Sequence, residues 1–394
     1  MILSKVYGKV RPPSGVDAFV GKLNALLSKS KVDAEAIAGG SYAKGTYLSN
    51  PDIDIFVRFD MGHKGKDISK ILHDVLKPLK PVVIHGSRDY FQVGNFEIVP
   101  VLKISEVSEA VNITDVSFFH IEWVRKHIGK LQDDVRLAKL FCHSANIYGA
   151  ESHINGFSGY ILELLVIYYG GFDGLIKAVT GWGSKTVIDP AKHYSGRDPL
   201  KILNESKIQS PLVVVDPVMH DRNASASVNL ESYSKFILAA KHYLKSPARE
   251  FFRHHDSGLF SAKKNSKLHG TKLLTIKVKP LEGKEDVIGS KLVKAFNYVK
   301  RQLELNEFRI FASGWGFDGF WFELYEDRLP RLKRHMGPPV WVRGADDFLK
   351  KHKDVMVENG VLVAIVKRSY PDARRLLKKL LKDKEVVERV KSAK

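Results

Sequence analysis

The chain has 394 residues, of which 44% are hydrophobic, a composition typical of a globular protein with two or three domains. Its 63 Lys and Arg residues against 44 Asp and Glu residues leave a formal net charge of +19. This charge predicts a polyanionic partner, either nucleic acid or an acidic membrane surface, unless the whole proteome is basic. The single cysteine, Cys142, excludes an intrachain disulfide and a zinc site built from cysteines.

No segment of the sequence is typical of secretion or membrane insertion. The stretch up to Pro13 lacks the apolar core of a signal peptide. The most apolar run, Tyr160–Tyr169, is too short to span a bilayer and contains Glu163. We therefore expect a soluble, cytoplasmic protein without a membrane partner.

The first predicted elements lead to a stretch rich in glycine and hydroxyl groups. Apolar residues at helical spacing across residues 16–28 predict an amphipathic helix, and a strand follows at about residues 34–38. Gly39 and Gly40 then let backbone groups approach an anion, while Ser41 and Lys44 add a donor and a positive charge. This stretch is a candidate phosphate cradle. Taken alone, an ordinary turn is the alternative.

Two carboxylates follow on a predicted strand, Asp52–Phe59. Its alternation sends Ile53 and Ile55 toward a core and leaves Asp52 and Asp54 together on the opposite face. Two carboxylates held side by side repel each other unless a cation lies between them, and such oxygen ligands suit Mg²⁺. A solvated strand face is the alternative for the pair taken alone.

A third carboxylate is expected on a neighbouring strand. Asp67 is predicted to cap the next helix, and Tyr90–Val93 and Phe96–Leu102 then flank Gly94-Asn95, which is a hairpin signal. Glu97 lies among apolar neighbours in the second of these strands. We interpret it as the third acid of a two-metal site, against the alternative of an exposed residue at a strand end.

The middle of the chain is mostly helical. Residues 111–170 favour helices, including one over Asp133–Tyr148, so we place a domain boundary near residue 110. A polar loop is predicted over residues 193–210 and a helix over Leu230–Leu244, and a second boundary is expected near residues 250–270.

The last part predicts a β-α-β-β order. Its expected hairpin joins Phe308–Phe311 to Phe320–Tyr325 around Gly314-Trp315-Gly316, and aromatic strands with basic neighbours suit a ferredoxin-like RNA-contacting module. The terminal Asp372–Val390 predicts one basic amphipathic helix. Three roles fit that helix: lying on a membrane surface, gripping an RNA backbone, or forming a solvated end.

The glycine-serine stretch followed by paired carboxylates resembles the polymerase-β-like nucleotidyltransferases. Longer strings narrow the resemblance to the class I, archaeal-type CCA-adding enzymes, over about residues 20–370. These strings are Asp134–Lys139, Ile147–Glu151, Gly156–Tyr160, Val187–Asp189, Val214–Val218, Asp221–Asn223, Met336–Pro338 and Glu358–Gly360.

The resemblance implies roles for individual residues. Asp52, Asp54 and Glu97 would be the catalytic acids and would hold two Mg²⁺ ions. The residues that would bind the nucleotide are Gly40, Ser41, Lys44, His120, Lys139, Tyr148, Arg222 and Asn223. Among these, His120, Lys139 and Tyr148 would contact the triphosphate or sugar, and Arg222 with Asn223 would read the base.

The resemblance also implies an α+β fold in three domains. A polymerase-β-like nucleotidyltransferase head is expected over residues 1–110, a mostly helical central domain over 111–255 and a ferredoxin-like α+β RNA-binding domain over 256–394. The implied reaction is the template-independent addition of C, C and A to the 3′ end of tRNA from CTP and ATP, releasing pyrophosphate. The tRNA would be held by its acceptor stem and TΨC arm. The oligomeric state is left open, with a homodimer among the arrangements.

Three features depart from the family pattern. Asp52 and Glu97 stand where a relative has Glu and Asp, which keeps the charge but moves the carboxylate oxygens. Lys44 stands where family members often have Arg. Relatives are expected to continue further beyond Glu358–Gly360, so contacts with the tRNA elbow are expected to be shortened or taken over by the basic terminal helix.

Two other functions compete with this one. A poly(A) polymerase or an oligoadenylate-type synthase would share the same acids, and the product sequence would separate these enzymes from CCA addition. An RNA-binding module on an inactive transferase fold is the non-catalytic alternative, and the complete set of three acids argues against it.

Overall fold

The structure is a computed structural model that describes Val10 and residues 12–49, 51–253 and 258–394. Most of the N-terminal stretch for which no signal peptide is expected lies outside these residues. The chain divides into two units, residues 1–254 and 255–394. The first two predicted domains fall within the first unit, and the division into three domains stays a prediction.

The first unit begins with a five-stranded sheet, built where the sequence alternates between apolar and polar residues. The strands lie in the order β1-β2-β5-β4-β3, with β2 and β5 parallel and the other pairs antiparallel. The buried face of the sheet packs on two helices, and Asp67 caps the second by accepting from the backbone N–H of Lys70, as predicted. These elements are α1 (Val16–Lys29), β1 (Ala34–Ala38), α2 (Gly40–Lys44), β2 (Ile53–Phe59), α3 (Ile68–Leu76), β3 (Val82–Ile84), β4 (Tyr90–Val93) and β5 (Phe96–Leu102).

The predicted hairpin is confirmed. Strands β4 and β5 are joined by Gly94-Asn95, and Gly94 has a φ of 63°, a left-handed conformation that glycine adopts without strain. The conformation of the predicted phosphate cradle differs from the expected loop, because Gly40–Lys44 forms one short helix, α2.

The rest of the first unit is mainly helical. Its core surrounds α6, whose residues from Ile161 to Val166 are all buried, and it includes Cys142, as predicted. The elements are α4 (Ser117–His127), α5 (Gln132–Ser144), α6 (Gly159–Tyr169), α7 (Phe172–Val179), β6 (Thr186–Ile188), α8 (Pro199–Ile202), β7 (Leu212–Val214) and α9 (Leu230–Lys245).

Two expectations for this region are corrected. The helix predicted over Asp133–Tyr148 ends at Ser144, because Asn146 takes a φ of 55° and turns the chain out of the helix. The predicted loop over residues 193–210 contains the short helix α8, which Asp198 caps by accepting from the backbone N–H of Leu200.

No single helix among the described residues is long and apolar enough to cross a membrane. Within that described part of the chain, one pair of helices, α6 and α7, reaches that length and composition when taken together, and the two are bent by 93° at the break between them.

The second unit contains a four-stranded antiparallel sheet in the order β14-β8-β10-β9. With helices after the first and third of these strands along the chain, this is the β-α-β-β-α-β arrangement of ferredoxin-like folds. A three-stranded sheet in the order β11-β13-β12 is inserted before the second helix. The elements are α10 (Leu259–His269), β8 (Lys272–Lys279), α11 (Glu285–Leu305), β9 (Ile310–Gly316), β10 (Gly319–Leu324), β11 (Leu332–Pro339), α12 (Ala345–Lys351), β12 (Val355–Glu358), β13 (Val361–Lys367), α13 (Ala373–Leu380), α14 (Lys384–Val387) and β14 (Ser392–Ala393).

The hairpin predicted around Gly314-Trp315-Gly316 turns instead at Phe317-Asp318. Gly314 lies inside β9 opposite Trp321, and a Cβ on Gly314 would come within 2.5 Å of the Trp321 ring. The glycine is therefore required inside the strand by close packing rather than by a turn.

The predicted terminal helix is two short helices, α13 and α14, separated by Leu381–Asp383. Leu376, Leu377 and Leu380 of α13 are buried against α11 in the core of the unit. The apolar face is thus covered by protein, which removes the membrane surface from the three roles considered for this segment.

Candidate functional site

The short helix α2 is held against the start of β2. The backbone N–H of Gly39 donates to the carbonyl of Asp54 over 2.8 Å. Gly40 has a φ of 52°, and a Cβ there would lie 1.7 Å from Oδ2 of Asp54. Only glycine therefore fits at position 40, where α2 contacts this carboxylate. The glycine is required here by close packing as well as by its backbone conformation.

Asp54 and Glu97 are register partners on the parallel strands β2 and β5 and so lie side by side. Asp52 precedes β2 and is exposed. Burial raises the pKa of Asp54, the charge of Lys44 opposes this, and the charge of Asp52 raises the pKa further. A mostly buried carboxylate that repels a neighbouring carboxylate is a suitable oxygen ligand for a divalent cation.

In the described part of the chain, no three His, Cys, Asp or Glu side chains converge closely enough to enclose a metal ion. Asp52, Asp54 and Glu97 therefore stay a predicted metal site. Their donor chemistry fits Mg²⁺, which takes few protein ligands and completes its shell with water and substrate phosphates.

A cavity of about 800 Å³ opens beside one of these acids, Asp54. It brings together one predicted catalytic acid, Asp54, and several predicted nucleotide-binding residues from distant parts of the sequence, namely Gly40, Lys44, His120, Arg222 and Asn223. Ser41, Lys139, Tyr148, Asp52 and Glu97 are not among the described residues that line it. Ser41 belongs to α2, where its carbonyl accepts from the backbone N–H of Thr46 over 2.9 Å.

Lys139 and Tyr148 lie near the start of α6. A Cβ on Gly159 would lie 3.2 Å from the Tyr148 hydroxyl and 3.4 Å from Nζ of Lys139. Burial lowers the pKa of Lys139 to about 8, although the Glu163 carboxylate opposes this change. Burial also raises the pKa of Tyr148, so its hydroxyl stays a neutral hydrogen-bond donor.

A second buried carboxylate, Asp216, holds an arginine and a histidine that line the cavity. Asp216 is fully buried and pairs with Arg222, and Nε2 of His120 lies 3.1 Å from its Oδ2. The Tyr160 hydroxyl donates to Oδ1 over 3.3 Å. Burial alone would raise the pKa of Asp216, but His120, the backbone N–H of Val218 and Arg222 bring it down to about 2. Asp216 is therefore ionised and fixes both Arg222 and His120 in place.

The side chain of Asn223 forms hydrogen bonds with backbone groups of neighbouring segments. Its Oδ1 accepts from the backbone N–H groups of Val214 and Ser225, and its Nδ2 donates to the carbonyl of Lys207. The side-chain amide thus shapes the loop that carries Arg222.

Sequence reasoning assigned no role to Glu163 or Asp216. Glu163 is fully buried in α6, accepts from Lys44 Nζ over 2.6 Å and from Thr46 Oγ1 over 2.5 Å, and lies 3.9 Å from Lys139 Nζ. In the sequence, Glu163 is a lone glutamate within an apolar predicted helix. Because a buried carboxylate needs charged or hydrogen-bonding partners, this position could have indicated such partners.

The comparisons with known proteins first define the class. Residues 22–113, which include β2, β5 and all three acids, match the family model described as nucleotidyltransferase domain. A solved structure of a Cid1 poly(U) polymerase mutant bound to MgATP shares the fold with a TM-score of 0.52, over 64% of this chain and 98% of that chain. Its sequence identity is 15%, so this likeness shows the fold alone. The first part of the chain is a nucleotidyltransferase head.

The remaining matches define the family. Residues 133–253 match the second domain of tRNA nucleotidyltransferase, and residues 269–393 match the C-terminal domain of CCA-adding enzyme. The CCA-adding enzyme of Nanoarchaeum equitans is 36% identical over 355 residues, covering 88% of this chain and 87% of the relative. That of Saccharolobus solfataricus is 30% identical over 404 residues, covering 96% and 92%. The chain belongs to the CCA-adding enzyme family.

Proposed function

We propose that this protein adds C, C and A, in that order and without a template, to the 3′ end of tRNA, using CTP and ATP and releasing pyrophosphate. The observation that carries the proposal is the cavity itself. It brings Gly40, Lys44 and Asp54 of the nucleotidyltransferase head together with His120 and Arg222 from further along the chain. The membership of the whole chain in one family supports the same reaction.

Asp52, Asp54 and Glu97 would hold two Mg²⁺ ions. When bound, such ions activate the attacking hydroxyl and neutralise charge on the transferring and leaving phosphates. The side-by-side placement of Asp54 and Glu97 supports this role, because it aims two carboxylates from rigid strands at one place.

The phosphate end of the nucleotide would be received by α2 and the residues behind it. Lys44 would supply a cation at the cavity wall, and Ser41, which belongs to the same short helix, would supply a hydroxyl. Lys139 and Tyr148, which lie beside the start of α6, would add a second cation and a neutral donor. These groups favour the negative charge of the pyrophosphate as it leaves.

The base would be read by Arg222. Its guanidinium is held by Asp216 on one side, which leaves its other N–H groups for acceptors on cytosine or adenine. His120 shares the same carboxylate and would contact the sugar or triphosphate. Asn223 would act by holding the Arg222 loop, since its amide bonds to backbone groups.

One acid cluster and one Arg222 must then serve all three additions. We therefore propose that the growing RNA end reshapes the cavity after each step. The protein would grip the acceptor stem and TΨC arm by shape and backbone, because an A-form duplex exposes little readable sequence. A cytoplasmic location is part of this proposal, and a homodimer is one of the arrangements that it allows.

The product sequence tests the proposed function. The protein is incubated with a tRNA lacking its 3′ CCA, or with a minihelix of acceptor and TΨC stems, and with CTP, ATP or both. We expect two C residues from CTP alone, and CCA followed by a stop from both nucleotides. A long A tail from ATP alone would indicate a poly(A) polymerase, and no extension at any Mg²⁺ concentration would favour an inactive fold.

Two variants locate the reaction within the cavity. Asp54→Asn should abolish incorporation while leaving tRNA affinity nearly unchanged, because the RNA is held by basic surface elsewhere. Arg222→Ala should reduce the selectivity between CTP and ATP more than it lowers the rate of nucleotidyl transfer. Near wild-type incorporation by Asp54→Asn at ordinary Mg²⁺ would rule out the role assigned to this carboxylate.

A further inference from the structure

One carboxylate of the first unit is completely buried between two lysines of the nucleotide site. Glu163, on α6, has no exposed side-chain surface, whereas the Lys44 side chain is 9% exposed and that of Lys139 is 3% exposed. One carboxylate oxygen accepts from Lys44 and the other accepts from the Thr46 hydroxyl. Lys139 donates to the carbonyl of Thr46 over 2.8 Å, so the two lysines are linked through Thr46 and Glu163.

We propose that Glu163 is a positioning residue of the nucleotide site, which holds Lys44 at the phosphate end of the cavity and away from Asp54. The inference deepens the proposed function and rests on it, because it assigns the place where the triphosphate is received.

The charges support this division of roles. Lys44 lines the cavity and pairs directly with Glu163 at 2.6 Å, whereas it acts on Asp54 only through its charge. Without the Glu163 charge, the strongest attraction left for the Lys44 ammonium in this part of the cavity is the Asp54 carboxylate. A lysine drawn onto Asp54 would leave the phosphate end of the cavity and occupy the carboxylate needed for a cation.

The origin of the clustered residues in the chain also supports the positioning role of Glu163. Lys44 and Thr46 come from the nucleotidyltransferase head, while Lys139 and Glu163 come from the helical region that follows, and Glu163 is 119 residues beyond Lys44. The cluster therefore sets the position of α2 relative to α6 within the first unit. Two lysines and one carboxylate also leave one positive charge to meet the phosphates.

The test is CTP binding to the full-length protein, measured by calorimetry without added metal and then with Mg²⁺. Glu163→Gln keeps the shape of the side chain and removes its charge. We expect it to raise the Kd for CTP about tenfold, since hydrogen bonds to charged groups are the stronger class. The KM for CTP should rise in parallel, while kcat changes less.

A matched control lies in the second unit. Glu323 is also buried and accepts a threonine hydroxyl, that of Thr271, over 2.5 Å. Glu323→Gln makes the same chemical change at a residue that is not among those lining the cavity, and it should leave the Kd for CTP unchanged. Thermal unfolding of both variants separates loss of stability from loss of binding.

A double-mutant cycle shows whether Glu163 acts through Lys44. In a Lys44→Met background, Glu163→Gln should change the Kd for CTP by less than about twofold, because the residue to be positioned is gone. Wild-type affinity in Glu163→Gln, or fully multiplicative effects of the two changes, would overturn the proposal.

If Glu163→Gln does not fold, Thr46→Val tests the positioning role of Glu163 instead. This change replaces by a methyl group the hydroxyl that donates to Glu163 and also accepts from Lys139 over 3.3 Å, and we expect CTP affinity to fall about threefold. Unchanged affinity would overturn the proposal. Because CTP binding is the readout, the inference can fail while CCA addition stands, or hold while product sequencing rejects CCA addition.

Discussion

At the scale of single residues, Asp216 shows how one buried carboxylate organises a wall of the cavity. It touches Arg222, His120, Tyr160 and two backbone N–H groups, and each contact favours its charged form. Removing that charge would free the Arg222 and His120 side chains at once. Its contribution to stability should therefore depend on pH.

The direction of the pH dependence follows from the pKa of Asp216. This value is about 2 in the folded protein and 3.8 without the fold, so the stabilisation is present above pH 3.8 and is lost as the pH falls toward 2. Between pH 5 and pH 3 the loss amounts to about 1 kcal/mol. In Asp216→Asn, urea unfolding of the first unit should vary correspondingly less with pH than in the wild type. An unchanged pH dependence would show that Asp216 is not the group that titrates.

At the scale of elements, the terminal segment combines a buried face with a basic one. Leu376, Leu377 and Leu380 belong to the core of the second unit, and β14 completes its four-stranded sheet. Deleting residues 372–394 would therefore disrupt the fold and say little about RNA. The basic side chains on the exposed face can be changed without touching that core.

Replacing Arg374, Arg375, Lys378 and Lys379 with glutamine tests the RNA contact of α13. All four side chains are exposed. If they face phosphates, tRNA affinity should fall at low salt, and the slope of log K against log salt should become less negative by about 1 for each phosphate that is no longer neutralised. The measurement is fluorescence anisotropy with labelled tRNA.

The matched control for that variant removes the same charge from the first unit. Lys22, Lys29, Lys64 and Lys66 are exposed, and their replacement with glutamine changes the net charge equally. Equal effects of the two variants would mean that α13 contributes only general charge and makes no RNA contact of its own.

At the scale of the whole molecule, the net charge of +19 predicts how tRNA binding responds to salt. Binding that neutralises several phosphates releases counterions, so affinity falls steeply as salt rises. Between 50 and 200 mM KCl we expect a log–log slope more negative than about −3, measured by anisotropy with tRNA and with an RNA duplex as the non-specific reference. A flat slope would contradict a binding mode based on this charge.

The sequence by itself determined the features that depend on near neighbours in the chain. Alternation predicted β2 and β5, Gly94-Asn95 predicted the hairpin of β4 and β5, and Asp67 predicted the start of α3. These features depend on side-chain period, glycine conformation and capping, which act over a few residues. The proximity of Asp54 and Glu97 could be predicted for the same reason, because the sequence pattern places each acid on a predicted strand.

Only the tertiary structure decided which distant groups meet. Glu163 was visible as a lone acid in an apolar helix, but its partner Lys44 lies 119 residues earlier, and nothing local links the two. Likewise, the glycines at 314 and 316 signalled a turn, whereas packing of Trp321 on Gly314 placed them inside a strand. A buried charge or a close contact takes its meaning from the groups that packing brings to it, and this choice depends on the whole fold rather than on the neighbouring sequence.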